Sequence, residues 1–461
     1  MLVVHVPYSF FPNPVGGTEV YVRALAQELE QRGISTLVAA PAERDSSYMH
    51  EGLRVRRFSV DSSPRVADLY GEGDSHAARS FARVLDEERP DIVHVHAYSN
   101  AVSLRLIREC GKRGLPVILS YHTPTVTCPR GNLLRWGTQL CDGTLDVQRC
   151  SRCVLHGLGL DRFSSMVVGS VPRSVGRLVG RLGVSGGHWT ALQMSYLIEQ
   201  RHDAIRALLT EVDHCIALCQ WAKDLLLHIG VAERKITVSR QGLCHPLPTT
   251  KSSDKKAHWG RCSRVRIAFL GRLDPVKGVH ILIMALRSSP DVNLQIDIFA
   301  ISQGTRDEEY ARELKRAAAG DSRITFYPPI SPSQVLEVLR TYDAVAIPSQ
   351  GLETGPMVVL EAFAAGIPVI GSRLGGIEEQ VRHEVDGLLV DPASVVAWAE
   401  VLRRVSGSPE LLARLCKGVC PPRTMTTAVE EVEAAYAAVK SSRRSAALHH
   451  PAYANEHRDS E

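Results

Sequence analysis

Strand-like apolar runs alternate with helical patterns along most of this 461-residue chain, and the alternation restricts its fold more than any other feature. In the first half the strand-like runs are LVVHV (2–6), STLVAA (35–40), DIVHVH (91–96), PVILSYH (116–122), HCIALC (214–219) and KITVSR (235–240). Because such alternation builds parallel sheets with helices on both faces, residues 1–245 predict a doubly wound, Rossmann-like α/β domain.

The alternation stops at residues 246–264, which are polar and without periodicity, so we interpret them as a linker. It restarts with RIAFLG (266–271), LQIDIFA (294–300), RITFYP (323–328), DAVAIP (343–348) and PVIGS (368–372). Residues 265–420 therefore predict a second Rossmann-like domain. Since ligands of such sheets bind beyond the carboxyl ends of the strands, two such domains predict a central cleft.

Three segments lie outside the two repeats. Residues 123–190 interrupt the first domain with a stretch rich in Cys, Gly and Arg, and residues 421–440 predict an amphipathic C-terminal crossover helix. The polar, His-rich residues 441–461 predict a disordered tail.

Composition narrows the functional classes. Apolar residues make up 44% and charged residues 23% of the chain, as in ordinary globular proteins. A net charge of +4 is small for this length and gives no reason to expect a nucleic-acid partner. No apolar run reaches the roughly 18 residues of a membrane span. The start MLVVHVPYSF has the pattern of a strand and not of a signal peptide, so we expect a cytoplasmic enzyme.

A glycine pair follows the first predicted strand. Gly16 and Gly17 lie in a turn before a helical pattern, with Thr18 as a candidate N-cap. Exposed amides at such a turn suit an anion, and the missing Cβ atoms let phosphate or sugar oxygens come close. A simple connection between strand and helix explains the same residues equally well.

Two cations follow the first strand of the second domain. Arg272 and Lys277 lie five positions apart in FLGRLDPVKGVH, across a loop that closes at Gly278. Both can converge above the end of the strand, where guanidinium and ammonium donors suit a diphosphate. The alternative is a solvated basic loop.

The stretch ETGPMVVLEAFAAGIPVIGS (353–372) places Glu353 before a predicted helix and Glu361 well inside it, with Pro356 fitting the first helical position. At about 1.5 Å per residue, the two carboxylates are spread over roughly 12 Å, the length of an extended ligand. The helix start favours an anion, and Glu361 could accept hydrogen bonds from ribose hydroxyls. Taken alone, Glu361 is better explained as an exposed helical glutamate.

Three motifs together carry a resemblance to a known family. GGTE, GRLDPVKG and SQGLETGPMVVLEAFAAGIPVIGSRLGGIEEQVRHEVDGLLVDP make the chain similar to the retaining family 4 glycosyltransferases of GT-B fold, over about residues 1–122 and 192–440. The resemblance implies that Glu353 and Glu361 form the family's Glu-x7-Glu motif, with Glu361 on the nucleotide ribose and Glu353 near the donor sugar.

Further roles follow from the resemblance. It implies that Arg272 and Lys277 hold the diphosphate, that Gly16 and Gly17 close from the opposite domain, and that His122 lies beside the transferred sugar. It also implies donor-sugar contacts by the residues that lead into the helix, namely Gly355, Pro356, Met357 and Val358. His94 and His96 are expected to pack or form hydrogen bonds near the cleft floor.

The chain departs from the family at two places. ETGPMVV replaces the commoner form with Phe-Gly before the helix, and SRQGLCHP (239–246) stands where the family usually has Asn-Gly-Val-Asp.

The function implied is transfer of a hexosyl unit from a UDP- or GDP-sugar to a hydroxyl of a glycan, lipid-linked or small polyol acceptor. No Asp-x-Asp motif lies near the site, so no catalytic metal is expected and the two cations would take its place. The leaving phosphate would deprotonate the acceptor. Two alternatives stay open: another GT-B enzyme, such as an epimerase or a phosphorylase, and a non-catalytic nucleotide-sugar or glycan-binding scaffold.

Four of the eleven cysteines, Cys128, Cys141, Cys150 and Cys153, fall within 26 residues of the insertion. The Cys150-x2-Cys153 pair has a common chelating spacing, and four thiolates could form a structural zinc site that shapes the acceptor side. An iron–sulfur cluster and free or disulfide-paired thiols are the alternatives.

Residues 162–198 contain four arginines and no acidic residue, with Val and Leu between them: Arg162, Arg173, Arg177 and Arg181. Such a basic amphipathic element suits peripheral contact with the inner membrane face or an anionic lipid-linked acceptor. A solvated basic loop is equally compatible with the pattern.

Overall fold

The computed structural model describes residues 1–13, 16–184, 186–245, 264–301 and 305–449, and contains two large sheets. The first domain contains β1 (Leu2–Val6), β2 (Ser35–Ala42), β3 (Ser46–His50), β4 (Leu53–Ser59), β5 (Ile92–Val95), β6 (Val117–Tyr121), β7 (Leu134–Arg135), β8 (Gln139–Leu140), β9 (His214–Ala217) and β10 (Ile236–Val238). The second contains β11 (Val265–Arg272), β12 (Leu294–Ile301), β13 (Ile324–Tyr327), β14 (Ala344–Ile347), β15 (Val369–Ser372) and β16 (Gly387–Val390). The predicted linker, 246–264, lies outside the described residues except for its last residue.

Helices cover both faces of each large sheet. The first domain has α1 (Gly17–Gln31), α2 (Val66–Tyr70), α3 (Ser75–Glu88), α4 (Leu104–Lys112), α5 (Val147–Gly157), α6 (Arg162–Val168), α7 (Arg173–Arg181), α8 (Gly187–Glu211) and α9 (Gln220–His228). The rest of the chain has α10 (Val279–Arg287), α11 (Thr305–Ala318), α12 (Val335–Leu339), α13 (Met357–Ala364), α14 (Gly375–Gln380), α15 (Val395–Gly407), α16 (Pro409–Gly418) and α17 (Met425–His449). None of the helices in the described ranges is both long and apolar enough to cross a membrane.

The first sheet has the order β10-β9-β6-β5-β1-β2-β4-β3 and is parallel except for β3, which pairs antiparallel with β4. Its central strands are apolar on both faces because both faces are buried: Val4 packs in a cluster with α3, α4 and α8, whereas Val3 packs in a cluster with α1 and α17. The sequence did not predict the edge strand β3 and its neighbour β4, because both are partly solvated and carry Ser and Arg among their apolar residues.

The second sheet is entirely parallel, with the order β13-β12-β11-β14-β15-β16. The strand order reverses between β11 and β14, and a doubly wound sheet binds its ligand in the crevice at such a switch point. Arg272, the last residue of β11, lies at this edge. The short strand β16 was missed because its GLLV run is only four residues long.

Helix α17 returns from the second domain to the first, where Val432 and Tyr436 are buried in the cluster that contains Val3. It is longer than predicted. Arg443 forms a two-pronged ion pair with Asp213, with nitrogen–oxygen distances of 2.8 and 2.9 Å. The prediction of a disordered tail from residue 441 is therefore wrong for residues 441–449, while 450–461 lie outside the described residues.

The insertion at 123–190 contains the β7–β8 hairpin and helices α5 to α7. Val154 and Leu155 of α5 pack on Met194 and Ile198 of α8 in a small apolar cluster of their own. The insertion is therefore a distinct layer on the first domain, built around the long helix α8.

His202 on α8 is fully buried, and neither ring nitrogen has a hydrogen-bond partner among the described residues. Burial lowers its pKa from 6.5 to about 4, so between these values the unfolded chain binds more protons than the folded protein. The contribution of His202 to the free energy of unfolding is therefore fully present above pH 6.5 and is lost as the pH falls toward 4. When the pH is lowered from 7.5 to 5, we expect the free energy of unfolding of the parent protein to fall by about 2 kcal/mol more than that of His202→Leu. Urea unfolding at the two pH values measures this difference.

The matched control is His188→Leu, an exposed position on the same helix. If the free energies of unfolding of His202→Leu and the parent protein differ by the same amount at both pH values, the lowered pKa of His202 is wrong.

Candidate functional site

The loop after β11 is held against the loop after the neighbouring strand β14. Gly278 has φ 72°, and a Cβ atom there would lie 1.8 Å from the carbonyl oxygen of Pro348, so this close approach requires glycine. The two loops bring Lys277 next to Glu353 at the switch point, with Arg272 at the start of the first loop.

Glu353 is bound from both domains. Its Oε2 accepts a hydrogen bond from Lys277 Nζ at 2.7 Å, and its Oε1 accepts one from the Ser349 hydroxyl. Its backbone oxygen accepts from the Gly376 amide at 2.7 Å and from the indole nitrogen of Trp221, a first-domain residue, at 2.9 Å. The loop ahead of α13 is therefore fixed in place where the domains meet.

Helix α13 begins at Met357, and Pro356 is its N-cap instead of its first helical residue, one position from the predicted start. Gly355 has φ 139°, a conformation that side chains disfavour. In the first turn the Val359 amide donates to the Pro356 oxygen at 3.1 Å, whereas the amides of Met357 and Val358 have no intrahelical acceptor, so this end of the helix favours negative charge. A Cβ atom on Gly17 would lie 3.2 Å from Met357 Cε, so the first-domain glycine turn closes on this helix start.

Glu361 lies one helical turn further along α13 and is 9% exposed. Its Oε1 is 3.1 Å from Nε2 of His245. The alternative of an exposed helical glutamate is therefore wrong. His245 belongs to SRQGLCHP, the segment in which the chain departs from the family pattern.

The glycine turn of the first domain carries a buried carboxylate. Gly16 is the N-cap of α1 and its amide donates to Glu19 Oε2 at 2.8 Å, so Thr18 lies inside the helix and is not its cap. Burial raises the pKa of Glu19, and backbone hydrogen bonds, followed by a smaller attraction to Arg272, oppose part of that shift.

His122 lies directly after β6 and is 6% exposed. Its Nε2 is 3.1 Å from Nδ1 of His96, whose Nε2 is 3.1 Å from Nδ1 of His5. Burial lowers the pKa of both His122 and His5 to about 3, so both rings are neutral at physiological pH. The backbone oxygen of His122 accepts from the Thr354 hydroxyl at 2.8 Å, which places this histidine beside the Glu353 loop.

One nitrogen each of His5, His94 and His96 lies within 4.8 Å of the others, a spacing that could hold a metal ion. Both nitrogens of His94 already have partners, the hydroxyls of Tyr436 at 2.7 Å and Ser120 at 2.8 Å. Metal binding would break these hydrogen bonds inside a fully buried network. We therefore interpret the histidines as the hydrogen-bonded floor of the cleft, which the sequence predicted for His94 and His96.

The structure also brings together the predicted cysteine set. Cys128, Cys141, Cys150 and Cys153 line one small pocket of the insertion, and none of them forms a disulfide. Thiolates are preferred zinc ligands.

The sequence did not reveal the residues that join the two domains. Glu379 of α14 accepts hydrogen bonds from the amides of Gln220 and Trp221 at 2.8 and 3.0 Å, which binds the start of α9 to the second domain. These residues are far apart in the sequence and have the pattern of ordinary helix ends. The one available signal was the glycine pair at 375–376, since a Cβ atom on Gly376 would lie 2.6 Å from the carbonyl oxygen of Glu353.

Comparison with known proteins gives two family matches. The family model for glycosyl transferases group 1 matches residues 255–418, and the model for Glycosyltransferase Family 4 matches residues 15–168.

Two curated relatives are D-inositol 3-phosphate glycosyltransferases. The protein of Segniliparus rotundus is 33% identical over 414 residues, which cover 86% of this chain and 78% of that protein. The protein of Corynebacterium glutamicum is 36% identical over 154 residues, 32% of this chain and 37% of its own length. Most of the other relatives of this name are also spanned over only about a third to a half of their length.

Solved structures show the same fold at low identity. HepE from Anabaena, solved with UDP and glucose, has a TM-score of 0.61 at 15% identity, over 95% of this chain and 100% of that one. Sucrose-phosphate synthase from Thermosynechococcus elongatus has a TM-score of 0.62 at 17% identity, over 98% and 100% of the two chains. With two doubly wound domains about a cleft, and with the relative of 33% identity, the chain belongs to glycosyltransferase family 4 and has the GT-B fold.

Proposed function

We propose that this protein transfers a hexosyl unit from a nucleotide diphosphate sugar to an acceptor hydroxyl, with retention of the anomeric configuration. The observation that carries the proposal is the gathering of Lys277, Glu353 and the start of α13 at one switch point, with Arg272 beside them and His122 opposite. A donor is expected there because cations, helix amides and carboxylates match its phosphates and hydroxyls.

The diphosphate would lie between Arg272, Lys277 and the first amides of α13. Lys277 is paired with Glu353, so an incoming phosphate shares its ammonium with that carboxylate. Glu353 is then placed to accept hydrogen bonds from the donor sugar. Gly16 and Gly17 would close over the phosphates from the first domain, since Gly17 already lies against Met357.

The nucleotide ribose would bind at Glu361, one turn further along α13. His245, at 3.1 Å, would hold this carboxylate in position. UDP is the first nucleotide to test, because the structurally similar HepE from Anabaena was solved with UDP; a GDP-sugar is the second.

The reaction would depend on electrostatic stabilisation of the leaving group. As the bond to the sugar breaks, negative charge grows on the diphosphate, and Arg272, Lys277 and the helix start lower its energy without a catalytic metal. The departing phosphate oxygen would take the acceptor proton on the same face of the sugar, which gives retention. His122 would lie beside the transferred sugar, and its buried Nδ1 has no partner among the described residues.

The acceptor would be a glycan, a lipid-linked glycan or a small polyol. The relatives in Segniliparus and Corynebacterium are named for D-inositol 3-phosphate, so a polyol phosphate is the first acceptor to test. In this role the enzyme would serve polysaccharide or glycoconjugate biosynthesis.

We expect Arg272→Ala and Glu361→Ala each to raise the Kd for UDP-glucose by about 10- to 100-fold, because each removes a charged hydrogen-bonding partner worth about 1.5–3 kcal/mol. Isothermal titration calorimetry measures the effect. Arg316→Ala and Glu400→Ala, which alter exposed side chains of the same domain, are the controls. If no UDP-, GDP- or ADP-sugar binds the parent protein, or if both cleft variants bind as tightly as it does, the donor site is wrong.

We expect His122→Asn to lower kcat by about 100-fold while the Kd for the donor changes little, since the histidine would act on the transferred sugar and not on the nucleotide. Release of nucleotide in the presence of acceptor measures turnover. His188→Asn, at an exposed position at the start of α8, is the control. An unchanged kcat would remove His122 from the reaction, and donor binding without any turnover across an acceptor panel would favour the non-catalytic scaffold.

The insertion carries an outward-facing apolar surface, which we propose contacts an anionic membrane. Helix α7 packs on α8 through its small residues: a Cβ atom on Gly176 would lie 3.0 Å from Tyr196 Cβ. Val179 is buried on the same side, whereas Leu178 and Leu182, the residue after α7, are 60% and 69% exposed. Phe163 of the adjacent helix α6 is 76% exposed.

Positive charge accompanies these apolar side chains. The α6–α7 surface includes Arg162, Arg173, Arg177 and Arg181, all exposed. Arg173 and Arg177 share one acidic partner, Glu199, so the surface stays positive. Apolar side chains among arginines match the acyl boundary and headgroups of an anionic leaflet, where a lipid-linked acceptor would also lie.

We expect the protein to co-sediment with vesicles that contain phosphatidylglycerol but not with vesicles of phosphatidylcholine alone. In 0.5 M salt the protein should dissociate from the vesicles, because salt screens the attraction between the arginines and the anionic headgroups. Leu178→Asp combined with Leu182→Asp should reduce the bound fraction at least about tenfold. Val396→Asp, at a 77% exposed apolar position in the second domain, is the matched control. Equal binding by the double variant and the parent protein, or no binding by the parent protein, would contradict the proposal.

A further inference from the structure

The four clustered cysteines come from three separate pieces of the insertion. Cys128 follows a short 3-10 turn at Pro124–Val126, Cys141 follows β8, and Cys150 and Cys153 lie in the first two turns of α5. All four line one small pocket. The fold therefore gathers side chains that are up to 25 positions apart in the sequence.

The hairpin between Cys128 and Cys150 has little regular secondary structure. Strands β7 and β8 are two residues long and pair through only two residues each. Leu133 and Trp136, which flank β7, have positive φ angles of 50° and 57°, a conformation that costs non-glycine residues energy. A segment of this kind is stabilised by a cross-link in many small folds, and a bound metal supplies one.

The charges that line the pocket suit thiolates. Arg149 Nη2 is 3.2 Å from Cys141 Sγ, and Arg130 Nη1 is 3.5 Å from Cys153 Sγ, so each guanidinium donates to a sulfur. Four thiolates around one Zn²⁺ carry a net charge of −2. Donors of this kind around the first coordination sphere stabilise that charge and orient the sulfurs.

We propose that Cys128, Cys141, Cys150 and Cys153 bind one structural zinc ion. The sulfurs lie further apart than in a closed site: among the described residues, only His5, His94 and His96 form a group of three with ligand atoms within 4.8 Å. Zinc–sulfur bonds of about 2.3 Å would draw the thiols inward as they lose their protons.

The zinc-held loop forms part of the wall of the cleft. A Cβ atom on Gly351 would lie 3.4 Å from the carbonyl oxygen of Asn132, between Cys128 and Cys141 in the sequence. Leu352, the residue before Glu353, packs against the first-domain cluster that contains Leu133. Zinc would thereby fix the insertion against the loop that carries Glu353, so its loss should disturb the acceptor side of the site.

The test is metal analysis of the full chain, purified without chelators from cells grown with zinc. We expect about one zinc per chain. After removal of zinc under reducing conditions, Co²⁺ should bind with a sulfur-to-cobalt charge-transfer band and intense visible bands of tetrahedral geometry. Zinc well below one per chain together with no such cobalt spectrum would overturn the proposal.

Variants separate this pocket from the other thiols. Cys150→Ser and Cys153→Ser should each lower zinc content and cobalt affinity at least tenfold, whereas Cys420→Ser, at an exposed cysteine of the second domain, should leave both unchanged. Iron with acid-labile sulfide, or an intact mass lower by two hydrogens for each disulfide formed, would instead identify a cluster or a disulfide. If the serine variants fail to fold, the cobalt spectrum of the parent protein still decides the question.

Discussion

The cleft depends on one loop, residues 348–356, being held by both domains at once. The second domain fixes it through the Gly376 amide and the first through the Trp221 indole, and both bonds end on the same carbonyl oxygen, that of Glu353. Because the backbone is held from both sides, the Glu353 carboxylate is left to meet Lys277 and the contents of the cleft. Any substrate at this site therefore contacts a segment on which the domain arrangement itself depends.

Both glutamates of the cleft already face a hydrogen-bonding partner. Lys277 pairs with Glu353, and His245 contacts Glu361. An entering diphosphate would replace the present partner of Lys277. Before it binds, Lys277, Glu353 and Glu361 are therefore not left without a partner in a partly buried site. The neutral histidines beneath add hydrogen bonds without adding charge, which suits a reaction whose charge develops on the leaving phosphate.

The sequence predicted those parts of the structure that depend on neighbouring residues in the chain. The central strands, the loop position of Glu353 and the helical position of Glu361 follow from apolar runs and from glycine and proline placement. The partners of these residues could not be predicted, because Trp221 and His245 reach the cleft only through tertiary packing. The order beyond residue 440 was missed for the same reason, since Arg443 is held by Asp213, an acidic side chain 230 positions earlier.

A crystal structure of the protein with UDP tests the central claim most directly. The account predicts the diphosphate between Arg272, Lys277 and the first turn of α13, with the ribose hydroxyls on Glu361. Nucleotide bound at another surface, with Lys277 and Glu353 still paired and no ligand contact to α13, would contradict it.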